Sequence, residues 1–171
     1  MNARFKDRKD AGRILADKLS KYTNHPNAVV LALPRGGVPV AYEVAQELGL
    51  PLDVLIVRKL GVPNHEELAM GAIASGGIRF LNRSVIESLR ILPETLEAVE
   101  RREALELMRR EAIYRGNRSP IQVEGRIVIL IDDGIATGST MRVAIQLLRA
   151  QHVKKIIVAT PAAPPSAKWE I

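Results

Sequence analysis

A chain of 171 residues, 47% of them apolar, is long enough to bury one core without crosslinks, and a single domain over 1–171 is the expectation. There is no cysteine, which excludes disulfides, thiolate metal sites and a thiol nucleophile. The net charge of +6 suits anionic partners, but two Phe, three Tyr and one Trp leave little material for base-stacking platforms, so small phosphorylated ligands are expected before nucleic acid.

The start, Met1-Asn2-Ala3-Arg4-Phe5-Lys6-Asp7, is polar where a secretory leader would be apolar, and no later stretch approaches membrane-spanning length. The expectation is a cytoplasmic protein without membrane contact. Ala11, Ile14, Leu15 and Leu19 recur at helical spacing, predicting an amphipathic helix over 10–19 with Arg13, Asp17 and Lys18 on its other face. The run Ala28 to Leu33 (AVVLAL), bounded by Pro26-Asn27 and Pro34, has the pattern of a strand buried on both faces, as in parallel sheets. A helix over 38–48 stops at Gly49, and LDVLIV at 52–57 supplies the next strand, completing a βαβ unit.

Ser75-Gly76-Gly77 between 69–74 and 78–81 predicts a hairpin, because its glycines can take the positive φ of a tight turn. Residues 93–114 form a long charged helix. Glu97 with Arg101 and Glu106 with Arg110 are spaced for i,i+4 pairs worth about 0.2–0.5 kcal/mol each, the pattern of a solvated face. Residues 115–125 read as loop, 127–131 (IVILI) as a buried strand, 140–150 as a helix with Val143, Leu147 and Ala150 on one side, and 155–160 (KIIVAT) as a last strand.

The chemistry is concentrated directly after IVILI, in Asp132-Asp133-Gly134-Ile135-Ala136-Thr137-Gly138-Ser139-Thr140. In open α/β sheets ligands bind beyond the carboxyl ends of the strands, and this loop runs from such an end into a helix start. Its Thr-Gly-Ser-Thr half offers hydroxyls, a glycine that admits close approach and the amides of a helix N-terminus, which together make an anion cradle. Its Asp132-Asp133 half supplies acceptors for vicinal hydroxyls and for an oxygen-loving divalent cation. Phosphate beside diol describes a ribose phosphate. A Walker loop is excluded, since Ser139 and not lysine follows Gly138.

The segment VILIDDGIATGST resembles the ribose-phosphate signature of the type I phosphoribosyltransferases. The resemblance implies an α/β fold: a parallel open sheet of five strands over about 28–160, with a flanking hairpin or flexible loop and a small hood. Residues 82–115 would be a helical insertion, and the hood after the last strand, where the sequence reaches Trp169-Glu170-Ile171, would be short or missing.

In that family pattern Ala136, Thr137, Gly138, Ser139 and Thr140 would hold the 5′-phosphate. Asp132 and Asp133 would face the ribose hydroxyls and hold Mg2+, directly or through water. Pro34-Arg35-Gly36-Gly37 stands where a pyrophosphate loop belongs, with Arg35 adding a charge-assisted contact to the diphosphate. Arg58-Lys59 resembles the start of a mobile catalytic loop continuing through Leu60-Gly61-Val62-Pro63-Asn64-His65, and it would touch pyrophosphate. His65, Glu66 and Glu67 are assigned no role. Ala136 stands where 6-oxopurine enzymes carry an aspartate and adenine-type members carry alanine, which disfavours hypoxanthine and guanine.

The implied activity is transfer of a phosphoribosyl group from Mg2+–phosphoribosyl pyrophosphate to a nitrogenous acceptor with release of pyrophosphate, Asp132, Asp133 and Arg35 carrying the chemistry. The alternative is a regulatory module that senses the same metabolite without turnover, linked to nucleic acid through its basic surface. Related enzymes often dimerise.

Overall fold

The structure, a computed structural model, describes residues 5–135 and 138–163. In chain order it contains α1 (Arg8–Lys18), a short 3-10 turn (Ser20–Tyr22), β1 (Ala28–Ala32), α2 (Gly37–Leu48), β2 (Leu52–Val54), β3 (Val57–Val62), β4 (His65–Ala74) and β5 (Ile78–Leu81). Then follow α3 (Arg83–Ser88), α4 (Pro93–Arg115), β6 (Ile127–Ile131), α5 (Ser139–Ala150) and β7 (Lys155–Ala159).

The central sheet is parallel, in the order β2-β1-β6-β7. Every residue of β1 and β6 is buried, as continuous apolar runs require when helices cover both faces. The period-two alternation divides the core in two. Ala28, Val30 and Ala32 with Ile127, Ile129 and Ile131 face the layer of α1, α2 and α4, whereas Val29, Leu31, Val128 and Leu130 face α5. Val30 is paired with Ile129 in the register, both with no exposed surface. Each such burial contributes about 1.5–3 kcal/mol, so sliding the strands by one residue would turn the whole set to the wrong layer.

A second sheet, antiparallel in the order β3-β4-β5, stands beside the first. It corrects two expectations. The run 52–57 is not one strand: it leaves the parallel sheet after Val54 and enters the other sheet at Val57. The transfer is fixed by Ser75, whose Oγ accepts the Ile56 N–H while its own N–H donates to the Ile56 carbonyl. Because Leu55 and Ile56 are as buried as the strand residues before them, hydrophobicity carries no mark of the break. The segment 58–65 is likewise not an open loop. It is an antiparallel ribbon that turns at Pro63-Asn64, with register shifts on either side of Gly61. The hairpin at Ser75-Gly76-Gly77 is present as expected.

Among the described residues the parallel sheet has four strands, not five. Helix α4 is amphipathic as well as charged: Val99, Glu103 and Leu107, four residues apart, are buried, whereas Leu105 and Met108 are exposed. Its C-terminal Arg115 is buried and bound to Asp53 Oδ1 (2.8 Å), Glu111 Oε1 (2.6 Å) and the Val54 carbonyl (2.6 Å), which pins the helix to the edge strand β2. On α5 the inward side is Met141, Ala144, Ile145 and Leu148, with Leu147, while Val143 is half-buried and Ala150 exposed. No described helix is long and apolar enough to cross a membrane.

Candidate functional site

Strands β1 and β6 are neighbours, so the loops that follow them emerge side by side. Asp132 and Asp133 follow β6 directly, and Arg35-Gly36-Gly37 follows β1 and enters α2. The Pro34–Arg35 peptide is cis. The two loops are pressed together. A Cβ on Gly36 would lie 2.1 Å from Asp133 Oδ2, and one on Gly37 would lie 2.7 Å from the Ile131 carbonyl oxygen. A side chain at Gly37 would collide with backbone and one at Gly36 would displace the Asp133 carboxylate, so both glycines are set by proximity rather than by backbone angles.

The aspartates occupy different surroundings. Asp132 is half-buried, its Oδ1 accepting the Asp133 N–H at 2.8 Å. Loss of water around it, with repulsion from Asp133, pushes its pKa up to about 6 from the ordinary 3.8. Asp133 is held from a distant element: Arg8, in the first turn of α1, donates to Asp133 Oδ2 through Nη2 (2.7 Å) and Nε (3.0 Å). Helix α1 is set in place by Asp7, whose side chain accepts the Asp10 N–H, and by its packing on α2. The N-terminal helix therefore reaches the carboxyl end of β6.

Past the aspartates, Ile135 donates its N–H to the carbonyl of Ala162, which ties the loop to the segment after β7. Gly138 has φ +71°, a left-handed conformation suited to glycine, and Ser139 and Thr140 open α5. Asp132, Gly134, Ile135, Gly138, Ser139, Thr140 and Met141 enclose a recess of about 180 Å3. The first-turn amides of α5 border it, the usual arrangement for an anion at a helix start. Ala136 and Thr137, also expected in the cradle, lie outside the described residues.

Of the other expected residues, Lys59 comes to the cradle, its Nζ donating to Ser139 Oγ at 2.8 Å. Arg58, adjacent in sequence, points the other way, as alternation along β3 demands. Its Nε (2.8 Å) and Nη2 (2.5 Å) both donate to Glu103 Oε2 on α4. Arg35 is exposed, and its side chain forms no hydrogen bond or ion pair with the described residues. Arg8 and Glu103 had no sequence signal. One lies 125 residues from its partner and the other 45, on charged helices whose facing sides are decided by packing.

For a metal, the donor set is two carboxylates. Among the described residues no cluster of three or more histidines or acidic groups exists to form an all-protein cage. Two carboxylates beside an anion cradle fit Mg2+, which keeps several waters and completes its shell with substrate oxygens.

Comparison with known proteins agrees with this geometry. The model of the phosphoribosyl transferase domain matches residues 3–171. A candidate phosphoribosyl transferase of Mycobacterium tuberculosis is 49% identical over 160 residues, 94% of this chain but 36% of that protein, so the chain spans about a third of its relative's length. The crystal structure of a Thermus thermophilus protein superposes with a TM-score of 0.80 at 40% identity, covering 96% of this chain and 77% of that one. A purine phosphoribosyltransferase from Pyrococcus horikoshii shares the fold, with a TM-score of 0.54 at 19% identity over 92% of this chain and 74% of that one. The α/β sheet, the acidic loop after β6 and the match over nearly the whole sequence place this chain in the phosphoribosyl transferase domain family.

Proposed function

We propose that this chain binds phosphoribosyl pyrophosphate with Mg2+ and transfers the phosphoribosyl group to a nitrogenous, nucleobase-like acceptor, releasing pyrophosphate. One observation carries the reading: two carboxylates at the end of β6 stand between a helix-start recess and a glycine-lined loop that presents an arginine with no partner among the described residues. The recess takes the 5′-phosphate through Gly138, Ser139, Thr140 and the amides of α5, with Lys59 supplying a nearby ammonium. Asp133 and Asp132 face the ribose hydroxyls and hold the cation, Asp132 and Asp133 acting through water where they do not touch it. Bound Mg2+ would offset the negative charge of the diphosphate.

In the reaction the bond from the anomeric carbon to the pyrophosphate oxygen breaks, the oxygen keeping the electron pair, while the acceptor nitrogen forms the new bond with its lone pair and releases any proton it carries to solvent. The protein needs no covalent nucleophile. It holds the sugar in orientation and places Arg35 beside the leaving group, so positioning and electrostatics supply the rate. Arg58, engaged with Glu103, is left out of pyrophosphate binding in this reading.

The test is a thermal-shift titration with phosphoribosyl pyrophosphate and Mg2+, followed by a pyrophosphate-release assay with a panel of nucleobases. Saturable stabilisation, weakened by Asp133→Asn, together with release in the presence of one base, is expected. Absence of any shift at millimolar ligand overturns the binding assignment. Stabilisation without release for every base would transfer the chain to the sensing class.

A further inference from the structure

A cavity of about 300 Å3 lies on the other side of Arg35 from the recess, lined by Pro34, Arg35, Arg109, Arg110, Ile113 and Tyr114. Three of these six residues are arginines. Arg109 and Arg110 share one counter-ion, Glu106: Arg109 donates through Nε (2.8 Å) and Nη2 (2.9 Å), Arg110 through Nε (2.8 Å). Hydrogen bonds from both arginines hold the Glu106 carboxyl well down, at about 2, so it stays ionised at working pH. Three guanidiniums against one carboxylate leave two positive charges in the lining. A solvated ion-pair cluster accounts for Glu106 with Arg109 and Arg110. It does not account for Arg35, which reaches this cavity from a different chain segment and has no partner among the described residues.

The position is as informative as the charge. The cradle follows β6, the Arg35 loop follows the next strand, β1, and α4 is fastened to β2, one strand further out, through Arg115 and Asp53. Cradle, Arg35 and cationic cavity thus succeed one another across the carboxyl ends of the strands. We propose that Arg35, Arg109, Arg110 and Tyr114 form a binding pocket for a compact oligophosphate anion, with Arg35 shared between this pocket and the site above. Guanidinium forks match paired phosphate oxygens, and Pro34, Ile113 and Tyr114 complete the rim of this open pocket. The helical insertion then has a task beyond packing. The proposal extends the placement of a diphosphate beside Arg35 and rests on that reading for its connection to turnover, though not for the binding itself. The anion has two possible sources: pyrophosphate released next door, or an inorganic oligophosphate arriving from solution.

The experiment is isothermal titration of the full chain, in magnesium-free buffer, with inorganic pyrophosphate, inorganic triphosphate and ribose 5-phosphate. Pyrophosphate is expected to bind the unmodified protein. The double variant Arg109→Ala/Arg110→Ala should weaken it at least tenfold while ribose 5-phosphate affinity stays within twofold. A lysine pair, Arg109→Lys/Arg110→Lys, should recover part of the loss and guards against a folding artefact. Unchanged pyrophosphate affinity in the alanine pair, or no heat at millimolar pyrophosphate, overturns the proposal. Ribose 5-phosphate failing to bind while pyrophosphate binding depends on Arg109 and Arg110 would sustain this pocket and bring down the phosphoribosyl reading; the converse result would do the reverse. Triphosphate binding at least tenfold tighter than pyrophosphate assigns the pocket to a ligand from solution, and comparable or weaker binding assigns it to the leaving group.

Discussion

Arg8 and Asp133, 125 residues apart, are joined by two hydrogen bonds to the same carboxylate oxygen, at 2.7 and 3.0 Å. The arginine side chain is 60% exposed, so the pair is worth at most about 1 kcal/mol to stability. Its effect on binding should be larger in consequence, because in the proposed reading a ribose hydroxyl or hydrated cation would share Asp133 with it. Arg8→Ala should lower stability by less than about 1 kcal/mol and tighten Mg2+–phosphoribosyl pyrophosphate binding a few-fold in a thermal-shift titration. Tenfold weaker binding would show instead that the guanidinium touches the ligand.

Gly36 is the glycine whose added side chain would meet a carboxylate of the acidic loop itself. An alanine there drives its methyl into the Asp133 carboxylate, so the loop or the aspartate must move. Gly36→Ala should cost about 1–3 kcal/mol by denaturant unfolding, as overpacking does. It should also weaken ligand-induced stabilisation, whereas Gly77→Ala, strained by a φ of +75° but far from the acidic loop, should lower stability by about 1 kcal/mol and leave binding unchanged.

The raised pKa of Asp132 gives a pH signature in the metal-free, ligand-free protein. A carboxyl with a folded value near 6 against an ordinary 3.8 binds its proton more tightly when folded. Its contribution is therefore most favourable below about 4, is lost as pH rises through 6, and is a net cost at pH 7. Asp132→Asn should consequently stabilise the empty protein at pH 7, by roughly 1 kcal/mol once solvent screening is allowed for, with the advantage shrinking toward pH 4. Melting curves of the two proteins across that window check the sign. An equal difference at every pH would refute it.

Arg58 and Lys59 should separate cleanly. Arg58→Ala leaves the buried Glu103 with Arg102 as its one partner among the described residues, at a cost of roughly 1–3 kcal/mol, and should change ligand affinity less than twofold. Lys59→Ala removes an exposed contact to Ser139 with little loss of stability but weakens binding severalfold. Chemical denaturation and ligand titration of both variants distinguish the roles.

The parts of the molecule legible in the sequence are those where local chemistry and global packing agree. AVVLAL and IVILI are adjacent, fully buried parallel strands, and the acidic loop with its helix start forms a recess where the pattern places one. Three features escaped for identifiable reasons. The break after Val54 lies within an unbroken apolar run, because the chain changes sheets without leaving the core. Residues 58–65 carry glycine, proline and charge typical of a loop, yet cross-strand pairing with 65–74 overrides those local preferences. The charged helix 93–115 has the pairs expected of a solvated face, Glu97–Arg101 at 3.6 Å and Glu106–Arg110 at 2.8 Å. Whether Glu103 and Arg115 turn inward depends on Arg58 and Asp53, which are remote in sequence.

The Lys59–Ser139 hydrogen bond couples the ribbon β3–β4 to the head of α5, although the two sheets share no ladder. An anion settling on Ser139 would enter that bond as a third party and draw the ammonium toward itself. Occupancy would then be felt as tension along the ribbon, slowing amide exchange in β3 and β4 well away from the bound phosphate and making the second sheet a built-in reporter of a filled site.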